Sequence, residues 1–228
     1  MSRSFIAPFA LALTLLGAAH AQAADVRIIG HADGFETVDA VLSVPNATLS
    51  ISTEAGGFTT TVNGESFVTY CIDLYEWTSF GVLYTDYTLV PNATHAYANA
   101  RANTDIAKLF ATAGALTGSV AQAALQIAIW EIGYEATGPY SLAAGAAQFT
   151  GGTAATSGAL SLASTWLAAV PGQTRSADLA VLESSAANGI AGHQDLVTPV
   201  PEPSTYALLA AGLFGVGFMA RRRARQAA

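Results

Sequence analysis

Between residues 26 and 90 apolar and polar positions alternate with a period of two, the signature of strands with one face buried. Thr48-Leu49-Ser50-Ile51-Ser52 shows the pattern clearly. Asn63-Gly64 separates Phe58–Val62 from Ser66–Leu74 by two residues, which predicts a tight hairpin. In its second arm Val68, Tyr70, Ile72 and Leu74 share one face and Phe67, Thr69, Cys71 and Asp73 the other. The first set is the more apolar, so it is expected to face the core and Cys71 to point away from it. Tyr84–Val90 predicts a further strand that Pro91 ends.

From residue 95 to 170 the spacing becomes helical. Thr104 or Asn103 can cap a helix carrying Ile106, Leu109 and Phe110, closed by Gly114. A second helix is predicted from Ser119 to about Tyr134, with an apolar stripe of Leu125, Ala128, Ile129 and Ile132. A third runs over Leu160–Ala169, stopped by Pro171-Gly172. The small, polar stretch Gly145–Gly158 is expected to be a flexible loop, and Asp178–Leu182 and Leu196-Val197 return to strand. The order β, α, β predicts an α+β fold.

Two apolar runs flank this body. Phe5–Ala18 follows Arg3 and precedes Ala19-His20-Ala21 and Ala21-Gln22-Ala23, small residues spaced for signal peptidase. That is a secretory signal peptide, residues 1–23, cleaved after Ala21 or Ala23. Tyr206–Ala220 is the second run, followed by Arg221, Arg222, Arg223 and Arg225. As a helix it covers roughly 22 Å against a hydrocarbon core of roughly 30 Å, enough for a single span with local thinning. The arginines would stay cytoplasmic and leave the body outside.

Charge sharpens the picture. Between the two runs lie four Lys and Arg against all sixteen Asp and Glu, a net −12. A body this acidic lacks the basic face that nucleic acid needs. Its single cysteine excludes an internal disulfide framework and a cysteine metal cluster.

Before the C-terminal run stands Val200-Pro201-Glu202-Pro203-Ser204. Motif, short apolar helix and arginine-rich end, in this order, resemble the PEP-CTERM sorting signal of Gram-negative bacteria, here residues 199–228. The resemblance implies recognition by exosortase, a membrane-embedded cysteine transpeptidase, a transient stay in the inner membrane, and a final place at the cell surface or in the extracellular matrix. The two prolines keep the segment extended and accessible.

The body offers one pair with chemistry. Ser119-Val120-Ala121-Gln122 has capping-box spacing, which gives Gln122 a structural role at the helix start. Gln126, one turn later and four residues before Trp130, has no such explanation on an otherwise apolar helix. Tyr70-Cys71-Ile72-Asp73 and Leu125-Gln126-Ile127-Ala128-Ile129-Trp130 resemble the two motifs of bacterial thioester domains, adhesin modules that join a cysteine to a glutamine side chain. Leu125 stands where that family usually has threonine. The resemblance, over residues 24–198, implies a β-sandwich or barrel-like body with an inserted helical subdomain and a Cys71–Gln126 cross-link. Tyr70, Trp77, Trp130 and Tyr134 are then candidates to shield it from water. Asp73, Glu76, Glu131 and Glu135 are candidates to orient an incoming amine, or are solvated charges.

The expected protein is not an enzyme but a single-turnover acyl donor, needing no cofactor or metal, whose partner is an amine or hydroxyl of a surface or matrix component. The alternative is a passive matrix protein with the same fold and an unreactive Cys71. A cysteine hydrolase is disfavoured because His31, His95 and His193 show no catalytic spacing.

Overall fold

The computed structural model describes residues 21–44, 47–137, 139–184 and 192–200. The apolar runs at both ends, Pro201–Ser204 and the four C-terminal arginines lie outside the described residues. Among those described, no helix is long and apolar enough to cross a membrane.

The architecture is β-rich α+β. Strands β1 (Gln22–His31), β4 (Phe58–Val62), β5 (Glu65–Cys71), β6 (Leu83–Pro91), β8 (Leu179–Ser184) and β9 (Leu196–Pro199) close a barrel in the order β1-β4-β5-β9-β8-β6. Every neighbouring pair is antiparallel. β2 (Glu36–Val44) lies between β3 (Ala47–Ala55) and β7 (Ala147–Thr150) in a separate three-stranded sheet. Helices α1 (Ala102–Ala113), α2 (Gly118–Tyr134), α3 (Gly152–Ser157) and α4 (Ala159–Ala169) fall in the chain between β6 and β8.

The predicted hairpin joins β4 to β5. Asn63 and Gly64 both take positive φ, 52° and 87°, as the two-residue turn that matches strand twist demands. Asn63 also ties the turn to β1, its Oδ1 accepting the Asp25 N–H at 2.9 Å. β1 begins at Gln22, which pairs with Leu89, and Ala23 pairs with Thr88. Cleavage after Ala21 therefore leaves β1 whole, whereas cleavage after Ala23 removes its first two pairs.

α2 is the centre of the molecule. Every residue from Gln122 to Gly133 is buried, so the expected stripe is replaced by burial on all sides. The helix packs against β5 of the barrel, the three strands of the second sheet, α1 and α4. Trp130 stacks on Phe149 of β7, with ring centroids 6.1 Å apart.

Four sequence expectations need correction. Gly145–Gly158 is not a loop: Ala147–Thr150 pairs with Asp39–Leu42 of β2, and Gly152–Ser157 is helical. α1 starts after Arg101 with no side-chain cap, because the Asn103 amide is used instead to bind the carbonyls of Asn92 and His95. The capping box of α2 does not form. Ser119 Oγ donates to Glu36 at 2.7 Å, and the Gln122 amide binds the Tyr70 hydroxyl. Gly57 makes that approach possible, since any Cβ there would collide with Gln122.

The fourth concerns β5. Thr60 and Thr69 are both buried and share a 2.8 Å hydroxyl hydrogen bond, which places the face of Phe67, Thr69 and Cys71 inside the barrel. The opposite face carries Val68, 39% exposed, and Tyr70, whose ring meets Phe110 of α1 edge-on. Cys71 thus points into the barrel and Tyr70 out of it, under the helices. Both faces of the strand's end are covered, so relative apolarity does not identify the interior.

Candidate functional site

The site forms where β4 stops and β5 continues. In register, Thr69 is the last β5 residue paired with β4, through Phe58. Two residues on, Cys71 has no strand on that side, because the chain has turned away at Gly56-Gly57. Ile72 directs its N–H to β9, bonding Asp195 O at 2.9 Å, so Cys71 directs its own polar groups to the vacated edge. Left unpaired, each buried group would cost about 1–3 kcal/mol.

Gln126 fills the gap. Its Oε1 accepts the Cys71 N–H at 2.8 Å and its Nε2 donates to the Cys71 carbonyl at 2.8 Å. The carboxamide substitutes for the missing strand residue, a pseudo-peptide supplied by α2. Gln126 is 0% exposed and Cys71 3%, and the thiol is free. The two motifs, fifty-five positions apart, therefore meet through a two-bond ring.

Electrostatics around the thiol disfavour its ionisation. Burial, with a smaller contribution from Asp73, pushes the Cys71 pKa well above its ordinary value. Asp73 is the hub of the loop that leaves β5. Its two oxygens accept the N–H groups of Glu76 and Asp195, and its carbonyl accepts from Gln194 Nε2. Burial raises the pKa of Asp73. The same cause, reinforced by Asp73, Glu76 and Glu183, lifts Asp195 to about 7.

Cys71 lines a cavity of about 410 Å3 at this mouth of the barrel, together with Trp77, Trp130, Glu54, Glu76 and Gln194 among others. Of the expected shielding residues, Trp130 is 1% exposed and walls the cavity beside Cys71. Trp77 is 72% exposed and forms part of the open rim. Tyr70 lies on the other face of β5, and the Tyr134 hydroxyl accepts the Leu74 N–H at 2.8 Å, so neither covers the thiol directly. Glu76 alone of the four named carboxylates lines this cavity. Glu131 and Glu135 instead hold the backbone of the segment before β7, through Ser141 and Ala146. Burial raises Glu131 to about 7.

Three residues of the site carried no sequence signal. His31 at the end of β1 bonds Glu54 of β3 through Nε2 at 3.0 Å, and its ring packs on Phe35, Phe58 and Phe80. Glu54, His31 and Phe80 come from separate parts of the chain, with no local spacing to link them. Trp130 has a further peculiarity: its indole N–H is buried without a hydrogen-bond partner among the described residues. A donor in that state costs about 1–3 kcal/mol.

The C-terminal segment matches the family model of the PEP-CTERM protein-sorting motif over residues 199–223. No curated protein and no solved structure matches the chain. The chain thus carries the C-terminal sorting signal of an exported protein and is processed by exosortase.

Proposed function

We propose that this exported, exosortase-sorted protein forms an internal thioester between Cys71 and Gln126 within a domain spanning residues 24–198. Through it the protein becomes covalently attached to an amine or hydroxyl of a cell-surface or matrix component. The observation that carries this reading is the docking of the Gln126 carboxamide on the backbone of Cys71.

The chemistry follows from that arrangement. The Cys71 sulfur adds to the Gln126 Cδ while Oε1 gathers negative charge. Oε1 already accepts the Cys71 N–H, so the nucleophile's own backbone is an oxyanion donor in place before reaction. The C–Nε2 bond then breaks, and the nitrogen leaves with the thiol proton as ammonia. Docking the carboxamide on the backbone of the residue that bears the thiol replaces a bimolecular encounter with an intramolecular one. The raised thiol pKa makes thiolate scarce at neutral pH, so formation is slow and accelerates as pH rises. Burial in turn keeps water from the product. An incoming amine or hydroxyl forms the new acyl bond, the C–S bond breaks, and Cys71 recovers a proton. Each molecule reacts once.

A second reading is supported by the same hydrogen bonds. Gln126 is fully paired as a structural substitute for a strand residue, and an unreactive thiol with this packing would suit a passive matrix protein. Intact mass of the purified protein separates the two. The thioester makes the wild type lighter by one ammonia and leaves Cys71→Ala at its full sequence mass. A wild type at full sequence mass would exclude the thioester and leave the passive protein. In either reading signal peptidase removes the leader, and the segment 206–220 holds the chain in the inner membrane until sorting.

A further inference from the structure

The barrel has a polarity that the reaction at Cys71 does not use. Every neighbouring pair of strands is antiparallel, so direction alternates around the closed order. β1, β5 and β8 run one way and β4, β6 and β9 the other. Where β1 starts, at Gln22, β9 stops, at Pro199. The opposite end holds His31, Cys71 and the start of β6 at Leu83. The chain thus enters and leaves the barrel at one end, its base, and carries Cys71 to the other, its mouth.

The base is ordered up to the edge of the sorting motif. The Val200 N–H bonds the Asp178 carbonyl at 2.9 Å, just before β8 begins. Residues 201–205 separate Val200 from the apolar run at Tyr206, a reach of about 20 Å at full extension. In the precursor, residues 19–21 separate the leader's apolar run from Gln22, a reach of about 14 Å. β1 and β9 lie three strands apart whichever way round the barrel is followed, so the two linkers leave from opposite sides of the base. β1, ten residues tilted by about 40° as barrel strands are, rises about 23 Å from base to mouth. Turning the mouth onto the lipid would require a linker that passes the whole height of the body, and neither is long enough.

We propose that these short linkers hold the base of the barrel toward the phospholipid surface of the inner membrane and the mouth away from it. Cys71 and its cavity are then presented outward while the chain is still anchored, and both processing steps act at the base, remote from them. The orientation rests on the reading of residues 206–220 as the membrane hold and is independent of the thioester.

Single cysteines at two exposed serines test it: Ser66→Cys near the base and Ser79→Cys in the loop at the mouth, each made in Cys71→Ala. The leaderless chains, tail included, are labelled with bimane and reconstituted in phosphatidylcholine vesicles with and without a lipid carrying a headgroup nitroxide. Quenching at position 66 should exceed that at position 79 at least about twofold. Inserting about ten Gly and Ser residues after Val200 frees the body to turn, and the two signals should converge. Equal quenching without the insertion, or stronger quenching at position 79, overturns the proposal and leaves the membrane hold standing. A contrast that survives the insertion overturns it as well, since the linker would not be its cause. Chains that fail to float with the vesicles overturn the membrane hold and the proposal together.

Discussion

At one end of the barrel Val62, Phe67, Leu89, Ala180 and Pro199 close around an apolar gap of about 140 Å3. At the other, Cys71, Trp130, Glu54 and Glu76 border one of about 410 Å3. β5 runs from the first end to the second, and its environment changes along seven residues. Near its start the ladder with β4 is complete, and on the β9 side, where paired residues begin only at Tyr70, the Val68 carbonyl accepts the Thr198 hydroxyl at 3.0 Å. At its end the ladder is broken and repaired by a side chain, carboxylates sit with raised pKa values, and a buried donor has no partner. The first end contributes stability and tolerates no chemistry; the second gives up stability to keep reactive and unsatisfied groups in place.

The sharpest way to break this comparison is to remove the repair. Gln126→Ala leaves the N–H and carbonyl of Cys71 buried and unpaired and opens a cavity, a cost of about 3–5 kcal/mol. Val62→Ala at the apolar end removes two methyl groups and costs about 1–3 kcal/mol. Both are to be made in a Cys71→Ala background, so that loss of a cross-link does not enter, and compared by urea unfolding. If Gln126→Ala costs no more than Val62→Ala, the pseudo-peptide role of Gln126 is wrong.

The carboxylates at the reactive end should make stability depend on pH in a particular direction. Asp195 has a folded pKa of about 7 against an ordinary value of 3.8, because burial penalises its charge. Between those values the folded state binds the proton more tightly than the unfolded state, so stability falls as pH rises through that window and levels off above it. Allowing for partial solvent screening, the loss from this group is about 1–2 kcal/mol. Asp195→Asn keeps an oxygen for the Ser184 N–H and removes the titration. Thermal unfolding from pH 4 to 8 should therefore show a shallower decline in the variant. Parallel curves for the two proteins would mean that Asp195 ionises freely.

How much of this was legible in the sequence follows the same division. The Asn63-Gly64 hairpin was readable because positive φ at two successive residues restricts the choice of side chain. That Cys71 and Gln126 form a pair was legible only through a family resemblance, and the alternation around Cys71 assigned it the wrong face. A period of two locates faces, but it cannot say which one is the barrel interior when helices cover the other. Gln122 failed for a related reason: Ser119–Gln122 has the spacing of a local cap, yet Glu36 and Tyr70 offer tertiary partners that win. In Gly145–Gly158 the alanines, glycines and threonines have no apolar contrast to display a period, so a strand and a helix were hidden there. Of the cavity, Cys71, Glu76, Trp77 and Trp130 were named through the same resemblance, but the rest was illegible, since its walls come from β1, β3, the loop after β5 and α2.

Midway between the two ends lies a test of whether polar groups inside the barrel are structural when they are fully paired. Thr60 and Thr69 are both fully buried, and their hydroxyls bond each other at 2.8 Å. Thr60→Val or Thr69→Val alone strands the remaining hydroxyl in an apolar interior and should cost about 1–2 kcal/mol. The double substitution removes both groups while keeping their shape, so it should cost less than the sum, with a coupling of about 1 kcal/mol in a double-mutant cycle. Additive effects would show that each hydroxyl finds another partner, which would make the barrel interior wetter than its packing implies. A positive coupling would instead identify this pair as the boundary at which the dry, self-satisfied half of the barrel ends and the half that leaves the Trp130 N–H unpaired begins.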